Sequence, residues 1–107
     1  MIKNATPHNI NVIINGKTIL FSKSDTIARV SVKRTIINEI EGIPVYSTEY
    51  GDIEGLPNET EGTYYIVSAL VMQKAKEIGR KDLLKPGNLI RDENGNPIGC
   101  DGFDSNV

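Results

Sequence analysis

Two arginines and a pair of adjacent tyrosines hold most of the chemistry this sequence can offer. Arg29 sits inside an otherwise apolar run, Ile27-Ala28-Arg29-Val30, and Arg91 closes Leu89-Ile90-Arg91 just before a turn. A guanidinium in such a place either bonds locally or clamps a phosphate through two parallel N–H donors, and its flat face can also stack on a base. Both readings stand for each arginine. Tyr64 and Tyr65 are consecutive, so in a strand their rings point to opposite faces. One ring belongs in the core and the other is free to stack on a ligand ring. The residues alone do not say which tyrosine has which role.

The remaining reactive side chains do not assemble into a catalytic pattern. His8 is the single histidine and Cys100 the single cysteine, far apart in sequence, which is too few for a zinc site of the usual type. As a lone residue His8 could act as an acid or base, but no serine elbow or Cys-His pattern accompanies it. Thr6-Pro7-His8-Asn9 reads better as a turn that aims the chain into its first strand. The acids Asp52, Glu54, Glu59 and Glu61 crowd one segment without calcium-loop spacing, and read as a solvated loop. The glycines fall at turns, with no phosphate-loop or dinucleotide motif. No catalytic residue, metal or cofactor is expected, and binding is the expected activity.

The elements that would hold these residues follow from local pattern. Asn15-Gly16 between Asn9–Ile14 and Lys17–Phe21 is a two-residue hairpin signal, because a type I′ turn needs two positions that tolerate positive φ. Residues 27–40 read as a long strand or a bent pair. One face carries Ala28, Val30, Val32, Ile36 and Ile40, and the other Arg29, Ser31, Lys33, Thr35 and Glu39, with Ile37 breaking the pattern. That alternation predicts a half-buried antiparallel strand. Glu41-Gly42 supplies a turn, residues 43–50 return, and 51–62 form a loop. A strand follows over 63–67. Ser68 is a helix N-cap for Ala69–Ile78, with Val71, Met72, Ala75 and Ile78 as the apolar stripe and Gly79 as the stop. Leu89–Arg91 and Pro97–Cys100 make a second hairpin around Asp92–Gly95, and the tail frays from Asp104.

Together these predict one β-rich α+β domain over residues 1–107, an antiparallel sheet of hairpins with one helix of the C-terminal half packed on it. The 107-residue length suits one domain. Twelve Lys and Arg against fourteen Asp and Glu give a net charge of −2, with the bases scattered, which argues against duplex nucleic acid as the partner. A lone cysteine argues for a reducing compartment. No signal peptide or membrane span is visible, so a cytoplasmic protein is expected.

Several segments, in order, resemble a known family. They are Asn4-Ala5-Thr6-Pro7-His8, Ala28-Arg29-Val30, Gly42-Ile43-Pro44-Val45, Gly55-Leu56-Pro57, the run from Glu61 to Val71, Pro86-Gly87, and Arg91-Asp92-Glu93-Asn94-Gly95. Over nearly the whole chain they resemble the first type of phage Thoeris anti-defence protein. Thoeris is a bacterial defence in which a TIR-domain enzyme makes a cyclic ADP-ribose signal from NAD. The resemblance implies a sponge that binds glycocyclic ADP-ribose without cleaving it, acts in the infected host cytoplasm, and assembles as dimers or trimers of dimers. It implies a ligand at a subunit interface and, in some members, cyclic di- or trinucleotides at separate sites. The family's ligand-binding aromatic and arginines fall by local match on Tyr64, Arg29 and Arg91. Tyrosine stands where phenylalanine is the family pattern, which keeps the ring and adds a hydroxyl. The chain is also shorter before its last hairpin than some relatives. Two rival readings go with these residues: an enzyme that degrades such a signal through His8 or the acidic loop, and a protein-interaction module of the phage.

Overall fold

Two turns set the local architecture. In the computed structural model, which describes residues 1–105, Asn15 and Gly16 have φ of 52° and 77°. They join β2 (Ile10–Ile14) to β3 (Lys17–Phe21) in unbroken antiparallel register from Ile14↔Lys17 to Ile10↔Phe21. Glu41 and Gly42 repeat the device with φ of 53° and 77°. They connect β4 (Arg29–Ile40) to β5 (Ile43–Glu54), two twelve-residue strands. Positive φ at both central positions gives the turn a twist that matches the strands it joins.

Non-local pairing builds two four-stranded sheets from these and shorter strands. The first runs β1 (Ile2–Asn4), β6 (Tyr64–Ile66), β7 (Leu83–Pro86), β10 (Phe103–Ser105), and the second β3, β2, β9 (Pro97–Cys100), β8 (Leu89–Arg91). The β8–β9 hairpin forms as its sequence predicts. Unlike the expected all-antiparallel arrangement, β1–β6, β6–β7 and β2–β9 pair in parallel. With 51% of residues in strands and 8% in one helix, the domain is the β-rich α+β fold that the pattern predicts.

The helix α1 (Ala69–Lys76) starts where expected. The Ser68 hydroxyl accepts a hydrogen bond from the Val71 amide at 3.2 Å, and Val71, Met72 and Ala75 are buried. It ends earlier than the predicted Ile78. Amides of Glu77 and Ile78 bond three residues back, to Lys74 and Ala75. This tightens the last turn and swings Ile78 out to 65% exposure. Gly79 then takes the left-handed conformation, φ 75°.

Strand β6 joins two cores through Tyr65 on one face and Ile66 on the other. Tyr65 and Val67 pack with Val71, Met72, Leu83, Ala28 and Val30, while Ile66 packs with Ile10, Val12 and Cys100. Phe21 and Phe103 close the second core edge-to-face, 5.5 Å between centroids. Phe103 is held there because β10 pairs with β7, so Asp104 and Ser105 are strand residues and not the frayed tail expected. The rest of that expectation, 106–107, lies outside the described residues.

The 27–40 segment departs from expectation in a second way. Only Ala28 and Val30 are buried; every residue of β4 beyond Val30 is exposed. Paired with β5 alone, the strand leaves the body as a two-stranded arm. Strand β5 also extends to Glu54, four residues into the predicted loop, before Gly55 turns away at φ 78°. A Cβ on Gly55 would collide with the Ile27 carbonyl, so the close return of the chain there requires glycine.

Candidate functional site

A cavity of about 640 Å³ opens where the base of β4, the start of α1 and the turn after β1 meet. Its floor is apolar, from Ile10, Ala28, Val30, Val67 and Leu70. Its rim is polar, from Thr6, His8, Arg29 and Ser68.

Asn4 builds one lip. Buried at 8% exposure, its side-chain amide donates to the carbonyls of His8 (2.7 Å) and Phe21 (3.0 Å). Its Oδ1 accepts from the Thr6 amide (2.9 Å) and hydroxyl (2.6 Å). One asparagine thus fixes the Thr6–His8 turn against the end of β3. Such local side-chain-to-backbone bonding is what Asn and Thr do outside regular structure. The Ala28 amide donates to the Ala5 carbonyl at 2.9 Å, tying this lip to the base of β4.

Arg29, at the base of β4, also lines the rim. Its side chain is exposed, and no ion pair to it forms among the described residues, although Glu54 is its cross-strand partner. Among the described lining residues it carries the one permanent charge. Ser68 also lines the cavity, so the α1 N-terminus, the positive end of its dipole, faces the same space as Arg29. An apolar floor beneath a cationic rim suits an amphipathic anion whose ring or sugar enters and whose phosphate stays at the mouth.

Tyr64 and Tyr65 divide as their alternation predicts. Tyr65 is 5% exposed and Tyr64 46%, so Tyr64 is the available ring. It lines a separate groove of about 370 Å³ with Glu59, Glu61, Lys81 and Asp82. Behind that groove Arg80 holds Asp82 through two bonds of 2.8 Å and lies 3.5 Å from Glu59. Both side chains of the Arg80–Asp82 pair are 11% exposed. The hydrogen bonds from Arg80 hold the Asp82 carboxyl below its ordinary pKa, against the opposing effect of burial. Asp82 raises Arg80 in turn. With this acidic lining, the groove accommodates a neutral ring better than a pyrophosphate.

Arg91 takes the local role. Its guanidinium donates to the Gly95 carbonyl at 2.8 Å, bracing a turn in which Asp92 Oδ1 accepts from the amides of Asn94 and Asn96. Arg29, Tyr64 and Arg91 are therefore not gathered within one chain. Neither Tyr64 nor Arg91 lines the Arg29 cavity, and neither arginine lines the Tyr64 groove.

His8 is exposed at the cavity rim. The acidic segment is dispersed: Asp52 and Glu54 lie on β5, Glu59 meets Arg80, and Glu61 lines the tyrosine groove. Among the described residues, no three His, Cys, Asp or Glu side chains cluster as metal ligands. None of the described helices is long and apolar enough to cross a membrane. Sequence reasoning missed Thr6, Ser68 and the Asn4 lock as parts of a site. The signal available was the Asn4-Ala5-Thr6-Pro7 run, two side chains that bond backbone ahead of a rigid proline. The chain matches no protein-family model, no curated protein and no solved structure.

Proposed function

We propose that this protein is a phage anti-defence protein that binds glycocyclic ADP-ribose and sequesters it uncleaved in the cytoplasm of the infected host. The observation that carries the reading is the cavity of about 640 Å³ with an apolar floor and, at its mouth, Arg29, which forms no ion pair among the described residues. Ligand sites fall at roughly 300–1,000 Å³, so the space suits a ligand of nucleotide size. The family resemblance supplies the identity of that ligand, and the cavity supplies chemistry that agrees with it. The same chemistry extends to cyclic di- and trinucleotides at separate sites. No cofactor enters the proposal.

A homo-oligomer, dimer or hexamer, is part of the same proposal. Sequestration at nanomolar affinity requires roughly 12 kcal/mol, more than one arginine and one open cavity supply. A second chain that brings its Tyr64 or Arg91 over the cavity would close the site and add a stack and a second cation.

Placement of His8 on the rim supports one alternative, an enzyme that cleaves the ligand with His8 as acid or base. Thermal-shift titration with glycocyclic ADP-ribose, then heat release and chromatography, tests both. Stabilisation with intact ligand recovered is the expected result. Stabilisation with a changed product identifies an enzyme, and no shift at micromolar ligand sinks the proposal.

A further inference from the structure

Two Asn-Gly steps, Asn15-Gly16 and Asn94-Gly95, sit in turns that treat the glycine amide in opposite ways. An Asn-Gly step can modify itself, because no Cβ on the second residue shields its backbone nitrogen. That nitrogen attacks Cγ of the asparagine: the N–Cγ bond forms, the Cγ–Nδ2 bond breaks, and ammonia leaves with the glycine amide proton. Water then opens the cyclic imide at either carbonyl. The product is aspartate or isoaspartate, in which the main chain runs through the side-chain carbon. One asparagine and one water give one aspartyl residue and one ammonia, with nothing oxidised or reduced. We propose that Asn15 is a site of this spontaneous modification and that Asn94 is protected from it.

Burial does not separate the two steps, since all four residues are exposed. Hydrogen bonding does. The Gly95 amide donates to the Asp92 carbonyl at 3.0 Å, and the Gly95 carbonyl accepts from Arg91 at 2.8 Å. The amides of Asn94 and Asn96 both donate to Asp92 Oδ1 at 2.9 Å. The nitrogen that would attack is thus committed as a donor, and the peptide that would have to swing is pinned on both sides. Gly16 lies just outside the β2–β3 ladder, and its amide donates to no acceptor among the described residues. Open space surrounds it: a Cβ built there would meet no heavy atom within 4 Å. Attack requires rotation about the Asn15 Cα–C bond, out of the left-handed turn at φ 52°. The restraint on that rotation is the Ile14↔Lys17 pair at the neck of the hairpin, next to the edge strand β3. Such hydrogen bonds at the exposed end of a sheet open at small cost compared with the core.

The two products differ in what they do to the hairpin. Asp-Gly suits the same type I′ turn, so the aspartate form keeps the fold and gains one negative charge. Isoaspartate adds a carbon to the main chain, which a two-residue turn cannot absorb while Ile14 and Lys17 stay paired. None of this depends on what the cavity binds. The test is to incubate the full chain at pH 8 and 37 °C, native and in concentrated urea, then digest it and locate the 1 Da gain by fragment-ion mass spectrometry. Enzymatic methylation of isoaspartate identifies the isomer. In urea the two sites should convert at similar rates. In the native protein Asn15 should convert about tenfold or more faster than Asn94, the factor expected from the hydrogen bonds that must break at Gly95. Asp92→Ala, which releases the Asn94 and Asn96 amides, should raise the rate at Asn94 and leave Asn15 as it was. Equal native rates at the two sites, an Asn94 rate unmoved by Asp92→Ala, or an intact native Asn15 once the urea sample has converted would each overturn the proposal.

Discussion

Replacing Arg29 isolates the cation at the cavity mouth with little disturbance to the fold. Its side chain is exposed and forms no ion pair among the described residues, so Arg29→Ala leaves no buried partner unsatisfied. Exposed changes of this kind alter stability by within about 0.5 kcal/mol, about 3 °C in melting temperature for a domain of this size. Binding should respond far more. A charge-assisted hydrogen bond contributes about 1.5–3 kcal/mol, which raises Kd roughly 10- to 150-fold. Arg29→Lys keeps the charge and loses the planar fork, so its Kd should fall between. Isothermal titration with glycocyclic ADP-ribose, beside thermal melts of the free proteins, measures both quantities. An unchanged Kd for Arg29→Ala would refute the site, and a parallel collapse of melting temperature would show that Arg29 supports the fold instead.

Tyr64→Ala should weaken the same ligand by about 1–3 kcal/mol if a base stacks on the ring, while Tyr64→Phe should stay near wild type; equal affinity in all three by titration calorimetry removes Tyr64 from the site. Asn4→Ala should cost about 3 kcal/mol, since it orphans donors and acceptors that one buried side chain now satisfies; urea melts check this, and a loss under 1 kcal/mol would show the Thr6–His8 lip to be self-supporting. Arg80 holds Asp82 below its unfolded pKa of about 3.9. The stability from that pair is therefore present above pH 4 and lost as pH falls through the folded pKa. Melting temperature should drop below pH 4 in wild type and drop less steeply in Asp82→Asn; identical acid limbs would assign acid sensitivity elsewhere.

Legibility followed sequence distance. The turns at Asn15-Gly16 and Glu41-Gly42, the Ser68 cap and the opposite-facing tyrosines are decided by neighbours, and residue types suffice for them. Parallel pairing of β1 with β6 and of β2 with β9 is decided by segments far apart, where short strands carry no register signal. Asp104 and Ser105 looked like tail because their strand partners, Lys85 and Leu84, lie outside the local sequence. Alternation in β4 placed Val30, Val32 and Ile36 on one face, but the bulge between Ile36 and Asn38 turns Ile40 to the other face, and alternation cannot say whether anything covers either. At the site, Arg91 turned to its own turn because Gly95 is four residues away. The cavity lip depends on Asn4, whose four bonds only the assembled backbone makes possible.

The two kinds of pairing also set a temporal order for the chain. A hairpin such as β4–β5 closes through adjacent residues and can form in about 1–10 µs. Pairings such as Ile2↔Tyr64 and Val12↔Cys100 close large loops, and β-rich domains dominated by such contacts fold in milliseconds to seconds. The arm, with its isoleucines and tyrosines exposed, can thus be complete long before the body that anchors it. During that interval it can meet the arms of other unfinished chains. Yield on refolding should therefore fall steeply with protein concentration.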